Sequence, residues 1–333
     1  MFIVKSYLLA VIFCFITMLC WGSWGNTQKL AGKTWRYELF YWDYVIGMLL
    51  FALLLAFTMG SIGTEGRPFL NDLSQAAASS IGSIILGGVI FNASNILLSA
   101  SISIAGLAVA FPLGVGISLV LGTIINYIGA PKGDPTVLFA GVALITVAII
   151  CNGIASGKMG GDKKEGASKG IILAIVAGTL MAFFYRFVAS SMDLENFASP
   201  AVGKVTPYTA IVIFCVGVLL SNFIFNTLVM KYPFVGERVY YKDYFKGNFR
   251  THLVGVLGGC IWCLGTSFSY ISSGMAGPAI SYALGQGAPM IAAIWGVFIW
   301  KEFKGAGRNV KGLLGIMFLF FILGLALIIL SGN

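Results

Sequence analysis

The chain has 333 residues, of which 58% are hydrophobic and 10% are charged, and its formal net charge is +9. Soluble proteins are about 25% charged, so a chain of this composition lacks the polar groups needed to cover a folded surface in water. The composition excludes a soluble enzyme, a nucleic-acid-binding domain and a disordered regulator. It indicates an all-α integral membrane protein with roughly ten spanning helices, at about 20 residues each.

Ten apolar runs follow one another along the chain. Backbone polar groups must be paired internally within lipid, so each run is predicted to be a helix. The first run is expected to be retained, because the sequence Trp21-Gly22-Ser23-Trp24 is a poor site for signal-peptide cleavage. The ten predicted helices are Tyr7–Gly22, Phe40–Gly60, Ile81–Ser103, Leu107–Tyr127, Thr136–Ile154, Gly170–Ala189, Tyr208–Met230, Leu253–Ile271, Ala279–Trp300 and Leu313–Leu330.

Basic residues are concentrated in the loops after helices 1, 5, 7 and 9. These four loops hold 16 of the 21 lysines and arginines, whereas the loops on the other side hold four. The positive-inside rule therefore predicts a plasma-membrane protein with cytoplasmic basic loops and both termini outside. The basic clusters are expected to meet anionic membrane lipid, and no nucleic-acid partner is predicted.

An internal repeat is the strongest pattern in the sequence. Residues 105–116 read AGLAVAFPLGVG and residues 276–287 read AGPAISYALGQG, a gapless match at an offset of 171 residues. Each half then holds five helices, so the second half enters the membrane from the opposite face. We predict two inverted five-helix repeats, at residues 1–157 and 169–333, joined by a cytoplasmic linker at 158–168. Inverted halves are typical of secondary transporters, whereas glycine-rich packing shared by both halves is the alternative explanation.

Helices 4 and 9 carry the repeated motif and are predicted to be interrupted. A proline removes a backbone donor and bends or opens a helix, and glycines let neighbouring backbones approach closely. Plain helix packing is the alternative role for each glycine. The candidate gating residues are Pro112, Gly114, Gly116, Gly285, Gly287 and Pro289.

Polar, uncharged side chains cluster on helices 3, 8 and 9. Amides donate and accept hydrogen bonds at once, so they suit a small neutral solute, on which an aromatic ring stacks. Hydrogen bonding between helices, worth about 0.6 kcal/mol for each bond, is the alternative. The candidate solute-binding residues are Asn92, Asn95, Trp262, Thr266, Ser281, Tyr282 and Gln286.

Charged residues are scarce within the predicted helices, and Asp43 and Arg186 are the clear cases. Both lie near helix ends, where they could reach the interface or pair with loop charges; coupling or gating is the other role open to them. No carboxylate is predicted near the bilayer centre, which counts against a proton/cationic-drug antiporter.

No catalytic, metal-binding or cofactor-binding constellation is found in the sequence. The six cysteines lie in apolar runs, and the pair Cys260 and Cys263 has no second thiol pair or cluster of histidines. Walker and H-E-x-x-H motifs are absent from the sequence. We therefore predict a protein that is not an enzyme and needs no cofactor.

Several further sequence motifs are spread over nearly the whole chain. They are Asp43-Tyr44, residues 56–63, Leu73-Ser74-Gln75, Gly258-Gly259 with Trp262, Tyr282 and Gln286, and residues 295–303. In these motifs the chain resembles the ureide permease family of the drug/metabolite transporter superfamily, near the bacterial glucose/ribose uptake and rhamnose–proton symporter groups. The resemblance implies import of ureides, nucleobases or simple sugars, typically with protons. Plant members carry a long central loop with a nucleotide-binding-like motif, which this chain lacks.

We accordingly expect a secondary transporter that imports a small, polar, mostly uncharged solute by alternating access, with coupling to protons. A pentose or hexose is narrowly preferred, because the compact chain resembles the bacterial sugar group. A ureide or nucleobase is the alternative, and a non-transporting membrane protein or an intramembrane enzyme is the alternative of a different class. The sequence leaves the oligomeric state open, a homodimer included.

Overall fold

A computed structural model describes residues 1–31, 35–105, 107–159 and 167–332. Most of the predicted linker at 158–168 lies outside these ranges, and so does Gly106 of the first repeat motif. The same holds for three of the basic loop residues, which are Lys33, Lys163 and Lys164.

The described chain folds into helices joined by short loops. In these ranges the helices are α1 (Tyr7–Ser23), α2 (Gly25–Leu30), α3 (Tyr37–Phe57), α4 (Phe69–Gln75), α5 (Ala78–Ala105), α6 (Leu107–Gly129), α7 (Pro135–Met159), α8 (Ala167–Ala189), α9 (Pro207–Lys231), α10 (Tyr241–Tyr244), α11 (Phe249–Ala276), α12 (Pro278–Gly285), α13 (Ala288–Ile294) and α14 (Arg308–Leu330). A π-helical turn at Trp295–Ile299 continues α13.

Ten helical stretches of the described residues are long and apolar enough to cross a membrane. The first combines α1 with α2, the ninth combines α12, α13 and the π-helical turn, and α4 and α10 are short helices in loops. Each predicted apolar run overlaps one of these stretches, so the all-α membrane fold with ten spanning helices is confirmed. We call the end of the bundle that carries Lys29, Lys158, Lys231 and Lys301 the basic face.

Several helices extend beyond the predicted apolar runs because polar caps, rather than hydropathy, set their ends. The side chain of Asn248 accepts a hydrogen bond from the amide of Thr251 at 2.9 Å, so α11 begins four residues before its apolar run. Gly277, at φ +82°, separates α11 from α12 in a backbone conformation that glycine adopts without strain.

The two halves of the chain pack in corresponding ways. In the first half, α5 contacts α8 and α9; in the second half, α11, which follows α5 at the repeat offset, contacts α1 and α3. The fifth and tenth spans, α7 and α14, contact each other. This exchange of partners agrees with the two-repeat arrangement, which remains a prediction.

Glycines bring backbones together at one crossing in each half. A Cβ at Gly88 of α5 would meet the carbonyl oxygen of Phe214 in α9, and one at Gly259 of α11 would meet the carbonyl oxygen of Tyr44 in α3. Gly88 and Gly259 are themselves related by the offset of 171 residues. Both crossings therefore require a residue without a side chain.

Candidate functional site

The ninth span is interrupted near its middle, where the sequence Gly285-Gln286-Gly287-Ala288-Pro289 lies. Helix α12 ends at Gly285, and α13 begins at Ala288 with Pro289 in its first turn, where the missing N–H of proline costs no intrahelical bond. The amide of Gly287 donates to the carbonyl of Leu284 at 3.0 Å, a tighter turn than an α-helix makes. This turn sets the position of the Gln286 side chain.

A cavity of about 40 Å³ lies beside this interruption. Its lining residues come from the middle of the spans in both halves of the chain. They are Trp21, Trp24, Phe91, Asn95, Leu98, Phe111, Val115, Met181, Phe184, Trp262, Gln286 and Ala288. The volume holds roughly three water molecules and is far below the several hundred Å³ usual for ligand pockets, so the lining must separate before a solute can bind.

Half of the residues that line the cavity are aromatic. The ring planes of Trp21 and Trp262 lie within 12° of parallel, and their centroids are 6.2 Å apart. Phe91 packs against Trp262 with their ring centroids 4.3 Å apart, and Trp24 packs against Tyr44 with their ring centroids 5.0 Å apart. The indole N–H of Trp21 donates to the hydroxyl of Thr266 at 3.0 Å, which fixes the orientation of that ring.

Two carboxamides supply polar groups to this aromatic cavity. Asn95, which is 2% exposed, donates to the hydroxyl of Tyr41 at 3.1 Å. Gln286, which is 4% exposed, donates to the hydroxyl of Ser118 at 3.4 Å. Both amides keep further donor and acceptor capacity, so they are able to bind a neutral solute from opposite halves of the chain.

Three of the predicted solute-binding residues, Asn95, Trp262 and Gln286, line the cavity, and four do not. Asn92 donates to Ser221 of α9 at 2.9 Å, and Thr266 bonds the Trp21 indole. Tyr282 is fully buried and hydrogen-bonds Ser118 of α6. Ser281 is also fully buried in α12. Asn92, Thr266 and Tyr282 thus bond neighbouring helices and position the helices that carry the cavity.

The predicted interruption of helix 4 is wrong, whereas the ninth span is interrupted. Helix α6 runs through Pro112 without a break. Pro112 and Gly116 face the groove between α6 and α7 rather than the cavity.

The other predicted gating glycines allow close packing. A Cβ at Gly114 would lie 2.9 Å from Leu98, one at Gly285 would lie 2.8 Å from the Trp21 ring, and one at Gly287 would lie 2.7 Å from the sulfur of Met18.

The two charged candidates lie at opposite ends of the bundle, away from the cavity. Asp43 is in the second turn of α3 at the basic face, where His252 and Tyr244 hydrogen-bond its carboxylate. Arg186 lies near the end of α8, with its guanidinium against Gly129, the last residue of α6. Neither touches the solute cavity, so a coupling role for either would act through the helices.

Sequence reasoning missed most of the aromatic wall. Trp21, Phe111 and Phe184 line the cavity, but each stands in an apolar run, where hydropathy does not distinguish a lining residue from a packing one. Trp24, which also lines it, lies just beyond the end of the first predicted run. The spacing of Trp21 and Trp24 places both indoles on one helix face, which is a usable signal.

A vestibule leads from the cavity toward the basic face and shares Trp21, Trp24 and Phe111 with it. Three side-chain contacts join the first and ninth spans there. Lys29 pairs with Glu302 at 2.8 Å, the indole of Trp300 donates to Asn26 at 2.7 Å, and the indole of Trp295 donates to Ser23 at 2.9 Å. These contacts close the vestibule.

Comparison of the sequence with models of protein families identifies the family of this chain. The family model for ureide permeases matches residues 40–169 and 163–331, which together are most of the chain. The chain belongs to the ureide permease family. This permease is therefore a membrane transporter of small solutes, and permeases are transporters rather than enzymes.

Individual relatives agree with this assignment. The permease is 24% identical to ureide permease 1 of Arabidopsis thaliana over 100% of this chain and 99% of that protein. It is 26% identical to the glucose uptake protein GlcU of Bacillus subtilis (strain 168) over 81% and 94% of the two chains. A crystal structure with a TM-score of 0.56 and 14% identity covers 96% of this chain and 97% of its own, which shows a shared fold. The relatives favour the ureide alternative over the narrow preference for a sugar.

Proposed function

We propose that this permease imports a small planar solute of the ureide or nucleobase type. The observation that carries the proposal is the pair of nearly parallel indoles, Trp21 and Trp262, flanked by the amides of Asn95 and Gln286. A flat ring between two indoles needs about 7 Å, since carbon atoms in contact are about 3.5 Å apart. The two indoles are already nearly parallel, within 12°, so a planar ring would stack between them once the lining separates.

The polar groups of the cavity support the same solute class. A cyclic ureide or imide presents alternating N–H and C=O groups at its edge and flat faces above and below, which complement carboxamides and indoles respectively. A sugar is thicker and carries hydroxyls around its whole rim, which would need more polar partners than the two amides supply. The name of ureide permease 1 agrees with this preference.

The remaining features of the proposal follow the secondary-transporter architecture. Two inverted repeats would rock around the cavity, and the contacts of Lys29, Trp295 and Trp300 would open when the solute leaves toward the basic face. We place that face in the cytoplasm of a bacterial cell, both termini outside, with protons as the coupling ion and anionic lipid around the basic loops.

Uptake by the purified permease in liposomes tests the solute class. Radiolabelled allantoin, uracil, xanthine, ribose and glucose would be offered separately, with and without a proton gradient, and empty liposomes would be the control. We expect at least one ureide or nucleobase to accumulate at least ten times faster than either sugar. Faster uptake of ribose or glucose would refute the proposal and restore the sugar alternative.

A further inference from the structure

A second polar cluster lies at the basic face, apart from the solute cavity. Asp43 belongs to α3, Tyr244 ends α10 and His252, the single histidine of the sequence, lies in the first turn of α11. The hydroxyl of Tyr244 donates to Oδ1 of Asp43 at 2.5 Å. Nδ1 of His252 lies 2.9 Å and 3.0 Å from the two carboxylate oxygens. The side chain of Asp43 is 2% exposed and that of His252 is 24% exposed.

The partner of Asp43 distinguishes it from the other fully buried carboxylates of the described residues. Glu38 pairs with Arg36, and Asp72 pairs with Arg67 at 2.9 Å. Arginine keeps its charge at every physiological pH, so those two pairs are permanent. Histidine changes its charge between about pH 5 and pH 8. Among these three carboxylates, Asp43 is therefore the one whose partner is of a residue type that changes its charge near neutral pH.

The other groups around the pair keep their charge near neutral pH. Burial, followed by the hydrogen bond to Asp43, raises the pKa of Tyr244, so its hydroxyl stays protonated and donates. Trp35 packs edge-on against the imidazole, with the ring centroids 5.4 Å apart, and carries no titratable group. Asp243 of α10 pairs with Lys246 at 2.6 Å, and Arg250 of α11 is exposed. The partly exposed imidazole gives protons a path from the water at the basic face.

One helix that carries this pair, α11, also lines the cavity, and the other, α3, contacts a cavity residue. Tyr41, two residues before Asp43 in α3, accepts the hydrogen bond of the cavity residue Asn95. Helix α11 carries Trp262, and a Cβ at Gly255 would meet the Asp43 side chain, so α3 and α11 are in close contact beside the pair. A change in the attraction between Asp43 and His252 is therefore passed to the cavity through α11, which carries Trp262, and through the hydrogen bond between Tyr41 and Asn95.

We propose that Asp43, His252 and Tyr244 form a proton-binding site, reached from the basic face, whose occupancy controls how fast the permease turns over. The proton binds the His252 imidazole, the imidazolium and the Asp43 carboxylate attract each other, and the proton leaves to the water at the same face. The protonated pair holds α10 and α11 against α3 and so favours the contracted cavity seen here. The effect on turnover rests on the proposed transport function, whereas proton binding does not.

Direct observation of the imidazole tests the proton site without any solute. Because the chain has one histidine, ¹⁵N-histidine labelling gives a single set of ring signals, which would be followed between pH 5 and pH 9 in the folded permease. We expect one transition in the wild type. Asp43→Asn should move it toward lower pH by about one unit, because the neutral amide no longer stabilises the imidazolium. Tyr244→Phe should move it toward higher pH, because the carboxylate then shares its charge with one partner fewer.

A transition that stays in place in both variants would overturn the proposed site. Asp243→Asn is the matched control, because this exposed carboxylate lies in the same short helix and pairs with Lys246. It should leave the transition where the wild type has it.

Transport measurements then test control of turnover from one side. In liposomes with a single protein orientation, raising the pH from 5.5 to 8 at the basic face should increase solute uptake severalfold more in the wild type than in His252→Gln, which keeps only the response to the proton gradient. An equal pH response in His252→Gln, or a response in the wild type to the opposite face alone, would contradict the proposal. If no tested solute is transported at all, the proposed solute class fails, while the imidazole signals still decide the proton site.

Discussion

Replacing Asn95 with alanine is expected to reduce solute uptake at low solute concentration by about ten- to a hundredfold while the protein stays folded. The substitution removes an amide that lines the cavity at the middle of α5. A polar group of the bound solute would then be left without a partner, which costs about 1–3 kcal/mol in a buried site. Uptake in liposomes, measured across solute concentrations, would show the loss mainly as weaker binding.

Asn92 provides a matched control one turn away on the same helix. It is the same residue type and is also fully buried, but it bonds Ser221 instead of lining the cavity. Ser221 also donates to the carbonyl of Gly217 at 2.8 Å, so Asn92→Ala leaves that hydroxyl paired. We expect Asn92→Ala to transport at close to the wild-type rate. Equal losses in the two variants would mean that the cavity residue has no special role in binding.

The different positions of Asn92 and Asn95 show how far the sequence predicts the site. Polar residues in an apolar helix are visible without a structure, and their spacing places both asparagines on one broad face of α5. Which of the two meets the cavity depends on how α5 sits between α8 and α9, and that is a property of the assembled bundle. Hydropathy and spacing therefore find the candidate helix and leave the lining residue open.

The repeated motif is informative because its glycines and prolines affect how close two helices pack and where a helix begins or ends. The motif at 276–287 spans the interruption of the ninth span, with Gln286 at its turn. The equivalent motif at 105–116 does not interrupt α6, which runs through Pro112. The two copies differ locally because Pro289, which lies in the first turn of a new helix, has Ser118 at the equivalent position in the first half.

The aromatic wall and the proton site escaped prediction for a common reason. Trp21 is far from Trp262 along the chain, and Asp43 is far from Tyr244 and His252, so packing alone brings the partners together. Asp43 was recognised as a candidate for coupling because a charge within a helix is unusual. Its partners lie in a loop helix and at a helix start, where histidine and tyrosine are ordinary residues.

Replacing Gly259 with leucine is expected to prevent stable folding, with a loss of more than about 3 kcal/mol, because overpacking at a backbone contact cannot be relieved by a side-chain shift. A Cβ at this position would already meet the backbone of Tyr44 and Met48 in α3. Size-exclusion chromatography in detergent and thermal unfolding followed by tryptophan fluorescence would measure the loss. Gly315→Leu is the matched control, because Gly315 of α14 is exposed and has no atom within 4 Å of an added Cβ.

Gly88→Leu extends this experiment to the predicted repeat. Gly88 precedes Gly259 by 171 residues and makes the equivalent contact, with Phe214 of α9 in place of Tyr44 of α3. If two related halves carry the fold, the two substitutions should destabilise the permease by similar amounts, while Gly315→Leu unfolds near the wild-type temperature. A stable Gly259→Leu protein would show that α3 and α11 are able to separate at this crossing. If Gly259→Leu unfolds and Gly88→Leu is stable, the two halves contribute unequally to the stability of the fold. The repeat would then be a similarity of sequence without equal contributions to stability.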